Sequence, residues 1–290
     1  MKKLKLKRHG SFSIRDGWFE KAINKIDKND KSIFGKSVGV SSLGIGANMV
    51  SSLRYWLLAS GIIDTKNKLT EFGNLLLKYD RYLESNFSWW LIHYNLVSNE
   101  EEAPVFNVVF NNFKAKSFTK ETVVNFLKNY VEENDIDKSN INFLGDDVTI
   151  LLRTYIEEKI QNPEDNLNSP LGRLNILSKG VDNLYSFKKP SFESLNYLVV
   201  YYVLEKLSVF GSTKDVSNID DVINAENSPV KIFKIDKSTF YQYLNEMSKN
   251  ELVVVNRTAG LNTIYLQKKL SLESIFTEFF ERSEEKHDIF

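Results

Sequence analysis

A long amphipathic helix followed at once by two short β-rich runs is the feature that most constrains this fold, and it occurs near both ends of the chain. Near the C-terminal end, apolar residues recur at helical spacing over 238–249, and β-rich runs over 251–256 and 261–266 follow. The turn between the runs contains Gly260, which can adopt the positive φ of a hairpin. A short helix is predicted over 219–224. This order of elements is typical of a winged-helix module.

The pattern at the N-terminal end is similar but shorter. A turn-rich stretch over 41–48 leads into a helical pattern over 49–59, and Gly61 ends the helix. Residues 62–70 then predict a strand, a polar tip and a second strand, followed by a helix containing Phe72. We therefore predict a second winged-helix module at this end.

The region between these modules is helical by pattern. Its predicted helices cover 88–97, 119–132, 147–160 and 192–209. We therefore expect a mainly α-helical protein with small β-wings, in which winged-helix modules at both ends are joined by a helical middle domain. The expected domains are 1–86, 87–210 and 211–290.

Charge and composition exclude several classes of function. The chain has 38 basic and 38 acidic residues, so any contact with nucleic acid must be local. The absence of cysteine excludes disulfides, thiolate nucleophiles and cysteine-held metal centres. No apolar run approaches the roughly 20 residues that a membrane helix requires, and the lysine-rich start is not a secretory signal. We expect a cytoplasmic protein without a membrane partner.

The stretch Gly44-Ile45-Gly46 at a helix start invites comparison with nucleotide-binding loops, because a helix N-terminus presents free amides to phosphate. The third glycine of the dinucleotide fingerprint would fall at Met49, and no apolar strand precedes the stretch. We interpret it as a tight turn and expect no cofactor.

Four residues have the order found in metal-dependent nucleases, namely Asp146, Asp147, Glu157 and Lys159. The strands that support such a site are missing, since 148–160 predicts one helix with an aspartate at its N-cap. The three histidines, His9, His93 and His287, lack the spacing of a helical metal site. We expect no catalytic residue, no metal ligand and no enzyme activity, with a metal-dependent nuclease as a less favoured alternative.

Six polar or basic side chains lie where winged-helix modules contact DNA. They are Asn48, Ser51, Ser52, Arg54, Arg257 and Lys268. Asparagine and arginine can pair with adenine and guanine edges in the major groove, and basic residues near a wing can meet phosphates. Two alternatives stay open, in which Arg54 pairs with a carboxylate and Asn48 caps its helix, or the basic residues form a solvated face.

Blocks of sequence in a fixed order carry a family resemblance. They cover 9–21, 43–56, 152–155, 163–171, 228–236 and 258–261. Together they resemble the bacterial family known as domain of unknown function four thousand and seven. The family's recurring positions fall here on His9, Arg15, Gly17, Trp18, Lys21, Gly44 and Gly46.

The resemblance implies a role in DNA modification. Genes of that family lie beside enzymes of the phosphoadenosine-phosphosulfate-reductase type, in defence islands linked to DNA phosphorothioation, so such an enzyme is an implied partner. The resemblance supplies no catalytic residue. Ala47 and Ser51 stand where relatives often carry basic residues, and Ser169 stands where many carry a cysteine, so a thiol function cannot operate here.

The sequence therefore favours a DNA-associated accessory protein of a bacterial DNA-modification or phage-defence system, with duplex DNA as its partner. The alternative from another class is a non-catalytic scaffold whose modules contact a sulfur-transfer enzyme, which the zero net charge supports.

Overall fold

The computed structural model describes residues 3–27, 31–157, 168–210, 215–257 and 262–287. They form a mainly helical protein with two small antiparallel sheets, which confirms the coarse fold class expected from the sequence. The chain divides into two compact units, Met1–Lys188 (unit 1) and Lys189–Phe290 (unit 2). The three-domain division is finer and stays a prediction. Within the described residues, no helix has the length and apolar character needed to cross a membrane.

Unit 1 is built from helices and one short hairpin. Its described elements are α1 (Trp18–Asp27), α2 (Lys36–Leu43), α3 (Ala47–Ala59), α4 (Glu71–Tyr79), α5 (Asn86–Ser98), α6 (Pro104–Asn112), α7 (Lys120–Glu133), α8 (Leu144–Tyr155), β1 (Leu177–Lys179) and β2 (Tyr185–Phe187). Nine of the 13 residues of helix α5 are buried, so most of its circumference packs against other parts of the unit. Fully buried aromatic rings fill the surrounding core, among them Trp56, Trp90, Phe106 and Tyr155.

Helix α2 corrects the prediction of a turn-rich stretch over 41–48, because it continues to Leu43. Gly44 then ends it in the left-handed conformation at φ 67°, and Gly46 is the extended N-cap of α3. The helix was missed because its serines, valines and glycine are weak helix formers without an amphipathic pattern. Close packing holds it instead, since Gly39 lies directly against the Ile33 carbonyl and the Val50 side chain.

The predicted N-terminal wing is also corrected. Over 62–70 the structure has one bridge, Ile63 to Leu69, and not two strands. The Asp64 carboxylate accepts hydrogen bonds from the backbone of Lys66 and Lys68 at 2.9 Å each, which closes the chain into a tight loop. Residues 64–68 therefore form the turn, and too few residues remain on either side of it to form paired strands.

Two further elements of unit 1 differ from expectation. Helix α6 was not predicted because its valines and phenylalanines favour strands, and its helical form depends on burial. The β1–β2 hairpin was missed because each strand has only three residues. The helix predicted over 147–160 instead spans Leu144–Tyr155.

Unit 2 combines helices with a three-stranded sheet. Its described elements are α9 (Tyr197–Glu205), β3 (Val216–Asn218), α10 (Ile219–Asn224), α11 (Pro229–Ile232), α12 (Lys237–Lys249), β4 (Val253–Asn256), β5 (Thr263–Leu266) and α13 (Leu272–His287). The antiparallel sheet has the order β3-β5-β4. Strands β4 and β5 lie inside the predicted β-rich runs, whereas the helix predicted over 192–209 is shortened to α9. Residues 258–260 of the predicted turn, and residue 261 of the second predicted run, lie outside the described residues.

The packing of α2 against its neighbours gives a direct test. We expect Gly39→Ala to lower the free energy of unfolding by about 1–3 kcal/mol, because its added Cβ would overlap the Ile33 carbonyl oxygen. Gly145→Ala in α8 is the matched control, since nothing lies within 4 Å of its added Cβ and alanine favours a helix. Urea unfolding measures both, and equal stability of the two variants would contradict the close packing.

Candidate functional site

The outward face of α3 carries only part of the polar set predicted to contact DNA. Asn48 and Ser51 are exposed near its N-terminus. Arg54 is held within the protein, since its Nε donates to Asn67 Oδ1 at 2.7 Å and its Nη2 donates to the Thr65 carbonyl at 3.3 Å. Arg54 thus fixes the loop over 62–70 to α3, and it does not pair with a carboxylate in the described structure.

Ser52 belongs to the interior and anchors the N-terminal segment. Its Oγ donates to the His9 carbonyl at 2.8 Å, and Trp56 Nε1 donates to the Phe12 carbonyl at 3.0 Å. The His9 ring is fully buried and stacks on Trp56 with 5.9 Å between ring centroids. The motif histidine therefore holds residues 9–12 against α3.

Asp147 completes this anchor from helix α8. Its carboxylate accepts from Lys7 N at 3.0 and 3.3 Å, and Oδ1 lies 3.2 Å from His9 Nε2. Asp146 is exposed and pairs with Lys7 Nζ at 2.9 Å. Neither aspartate is the predicted N-cap, because Phe143 holds that position and both lie in the first turn. Burial, followed by the charges of Asp147 and Glu102, raises the pKa of Tyr55 far above its usual range.

The described residues do not assemble the predicted nuclease grouping. Asp147 lies in the first turn of α8 and Glu157 lies beyond its end, which separates them by about 15 Å along the axis. Lys159 lies outside the described residues. Among the residues that the structure describes, no group of three or more histidine, aspartate or glutamate side chains could hold a metal ion.

The other motif positions have identifiable places. Gly17 has φ 72°, Trp18 is buried and Lys21 is exposed. Arg15 lies partly buried between two rings, with its guanidinium carbon 5.6 Å from the centroids of both Phe12 and Trp18. Burial lowers the pKa of Arg15.

Three interpretations of the sequence concern turns and lone polar residues. Gly44-Ile45-Gly46 is the turn between α2 and α3, as interpreted from the sequence. His93 is buried and lies 2.7 Å from the Tyr155 hydroxyl, so it is part of the core. Ser169, at the family's cysteine position, accepts from Leu171 N and caps a short 3-10 helix.

In unit 2, Arg257 lies against helix α12, which precedes the β4–β5 hairpin. The Arg257 guanidinium lies over the Tyr241 ring at 4.3 Å from its centroid. Gln242 and Asn245 of the same helix are exposed. Lys268 instead pairs with Glu251 at 3.2 Å.

Sequence analysis did not single out Gln242 and Asn245 as candidate contact residues. The signal was present, because the apolar positions 240, 243, 244 and 247 of α12 define a buried face and leave these amides on the other. The N-cap of this helix is Asp236, which accepts from Thr239 N at 2.7 Å. That backbone hydrogen bond and a side-chain bond from Lys189 lower the pKa of Asp236 to about 2.

The two neighbouring aspartates of α8 test the anchor. We expect Asp147→Asn to lower the free energy of unfolding by about 1–3 kcal/mol. The substitution replaces the buried carboxylate that accepts the hydrogen bond of the Lys7 amide and lies next to the His9 ring. Asp146→Asn should change it by less than about 0.5 kcal/mol, since its ion pair is exposed. Urea unfolding at neutral pH compares them, and a larger effect at Asp146 would refute the assignment.

The cap of α12 predicts a pH dependence. Folding lowers the pKa of Asp236 from about 3.9 to about 2. The charged carboxylate therefore stabilises the folded state above about pH 4. This stabilisation is lost as the pH falls to about 2. Asp236→Asn keeps a capping side chain without that titration. The stability difference between wild type and variant should therefore shrink over this range in urea unfolding followed by circular dichroism. A constant difference would contradict the prediction.

Two solved structures share the fold. The structure titled "Magnesium ion-bound SspB crystal structure" superposes with a TM-score of 0.79 at 20% identity, covering 95% of this chain and 88% of that chain. The structure titled "SspB crystal structure" gives a TM-score of 0.75 at 20% identity, covering 98% and 88%. At this identity the likeness shows a common fold.

A stretch of the sequence is also similar to a curated protein, the CRISPR-associated endoribonuclease Cas13a of Leptotrichia wadei (strain F0279). The two are 31% identical over 156 residues, which are 54% of this chain and only 13% of that protein. A match to so small a part of the longer protein does not establish a shared family.

The family model described as "Protein of unknown function (DUF4007)" matches residues 6–280. This span includes the anchored motif of unit 1 and all of α12 with its hairpin in unit 2. The chain therefore belongs to the DUF4007 family.

Proposed function

We propose that this chain is a DNA-associated accessory protein of a bacterial DNA-modification or phage-defence system of the phosphorothioation type. Membership of the DUF4007 family supports the proposal, because the resemblance of the sequence blocks to that family implies a role in such systems. The shared fold with SspB is compatible with it. Although one SspB structure is titled as magnesium-bound, the proposal assigns no metal to the described residues.

The observation that carries the proposal is the position of Arg257 over Tyr241 on helix α12. Helix α12 follows two shorter helices and precedes the β4–β5 hairpin, and β3 pairs with β5. This order supports the proposal of a winged-helix module, in which the third helix would enter the major groove and the hairpin would lie along the backbone. Arg257 follows β4 directly and is thus held at both proposed contact elements.

The outer face of α12 carries groups that can read bases. The side-chain amides of Gln242 and Asn245 are exposed and can pair with adenine N6 and N7. Arg257 can supply a charge to phosphate or a paired contact to guanine. The helix thus combines base-reading amides with one cation, which agrees with a local contact on a chain of zero net charge.

Helix α3 of unit 1 offers fewer side chains for contact with DNA than helix α12 does. Asn48 and Ser51 are exposed on α3, but Arg54 is occupied by the loop and Ser52 is buried. Ala47 stands where a basic residue would strengthen a phosphate contact. Unit 2 therefore provides the main proposed DNA-reading surface.

Labelled duplex DNA tests this function by fluorescence anisotropy across a salt series. We expect salt-dependent binding, with Arg257→Ala weakening it and reducing the slope of log affinity against log salt by about one. Gln242→Ala should reduce discrimination between duplex sequences while leaving that slope unchanged. Lys138→Ala removes a charge that already pairs with Glu132 and serves as the control. Absence of duplex binding at low salt would overturn the proposal.

One observation favours the scaffold as a second function. Three exposed apolar side chains form one row across the sheet of unit 2, because Tyr265 pairs with both Val216 and Val254. Such a row suits a protein partner, for which the reductase-type enzyme is the first choice. In a coexpression pull-down with that enzyme, Tyr265→Lys should abolish capture. Equal capture by wild type and variant would remove the row from consideration.

A further inference from the structure

Unit 1 has two adjoining surface hollows that share one wall. Arg153 and Ile156, at the end of helix α8, line both of them. Beyond this wall, Lys120 and Lys179 line one hollow, and Arg15 lines the other. We call the joined hollows the basic groove and define it by Arg15, Lys120, Arg153 and Lys179. The four cations come from distant parts of the sequence and meet only in the folded unit.

The electrostatic composition of the basic groove is one-sided. Among the described residues that line it, none is acidic. Arg15 and Arg153 line the same hollow, so two residues of like charge border a common space. On its other side, Arg15 borders a hollow that contains Asp16, Glu20 and Glu84. Within the basic groove, like charges held together raise the free energy of the free protein, and a bound anion lowers it.

The groove cations are not used in ion pairs with the carboxylates that the structure describes. Elsewhere in the described chain, Lys5, Lys138 and Lys237 each lie within 4.0 Å of a carboxylate. Arg15, Lys120, Arg153 and Lys179 have no carboxylate that close among the described residues. A basic surface whose charges are not used internally is the kind that meets phosphates.

Neutral donors and a fixed arginine complete the surface. Ser11 and Ser13, each with a hydroxyl group, line the hollow that contains Arg15. The rings of Phe12 and Trp18 flank the Arg15 guanidinium, which limits its movement before any ligand arrives. Planar guanidinium groups bind phosphate oxygens in pairs, and serine hydroxyls add hydrogen bonds to the same oxygens.

We infer that the basic groove binds the phosphate groups of a nucleic acid strand. Its cations are spread over two adjoining hollows, which suits successive phosphates of a backbone. No side chain of the groove is needed to read a base, so binding is independent of sequence. The inference rests on the proposed association with nucleic acid, but it uses a surface of unit 1 that is separate from the α12 surface of unit 2.

The experiment compares Arg153→Ala and Lys179→Ala with Lys138→Ala in the full chain. Arg153 and Lys179 are exposed, so their removal spares the core. The control removes the same charge from unit 1, outside the groove. Three probes are titrated over salt, namely labelled oligothymidylate, labelled duplex DNA and inorganic tripolyphosphate. Each groove substitution should weaken oligothymidylate binding several-fold and reduce the salt slope by about 0.7 for each phosphate that is no longer neutralised. The control should match wild type.

The outcomes separate this inference from the proposed function. Unchanged oligothymidylate affinity in both groove variants overturns the basic groove, while duplex binding that depends on Arg257 still supports the proposed function. Groove-dependent oligothymidylate binding without duplex binding supports the groove and overturns the proposed function. Tripolyphosphate binding that the groove substitutions abolish, with no oligothymidylate binding by wild type, identifies a free polyphosphate ligand and overturns the assignment to a strand.

Discussion

The anchoring of residues 7–12 to helices α3 and α8 by hydrogen bonds is the constraint on which the surface of unit 1 depends. Ser52 and Trp56 bind carbonyls of this segment, and Asp147 binds the Lys7 amide. Because these bonds engage backbone atoms, they fix the path of the chain and not merely single side chains. The path leads directly to Arg15, so the anchor determines where that guanidinium lies. His9 thus contributes to the surface although it is buried.

The predictable parts of the structure were those with strong local patterns. Helix α12 and the β4–β5 hairpin follow from an amphipathic run and from β-branched residues, and the sequence blocks indicated the family. Helices α2 and α6 could not be predicted in this way because tertiary packing overrides their weak or contrary preferences. The loop over 62–70 was mistaken for strands because the Asp64 carboxylate binds the backbone of Lys66 and Lys68. These residues therefore form a turn and do not pair as strands.

Candidate contact residues could be predicted from the sequence only where they lie on one helix or hairpin and are therefore close in sequence. Arg257 was singled out because it follows a predicted strand, and the exposed amides of α12 could have been read from its helical periodicity. The basic groove is different, since Arg15, Lys120, Arg153 and Lys179 are separated by up to 164 positions in sequence. Arg15 and Arg153 each belong to a sequence block, but nothing in one sequence states that the two blocks meet. A balanced total charge also conceals a local excess of one sign.

The division into two units has a spectroscopic consequence. All four tryptophans, Trp18, Trp56, Trp89 and Trp90, belong to unit 1 and are buried there, whereas unit 2 has tyrosine and phenylalanine as its aromatic residues. Indole emission therefore reports the surroundings of unit 1 alone, while circular dichroism records helices of both units. Recording the two signals on one unlabelled sample would show directly whether the units lose their structure together or in separate steps.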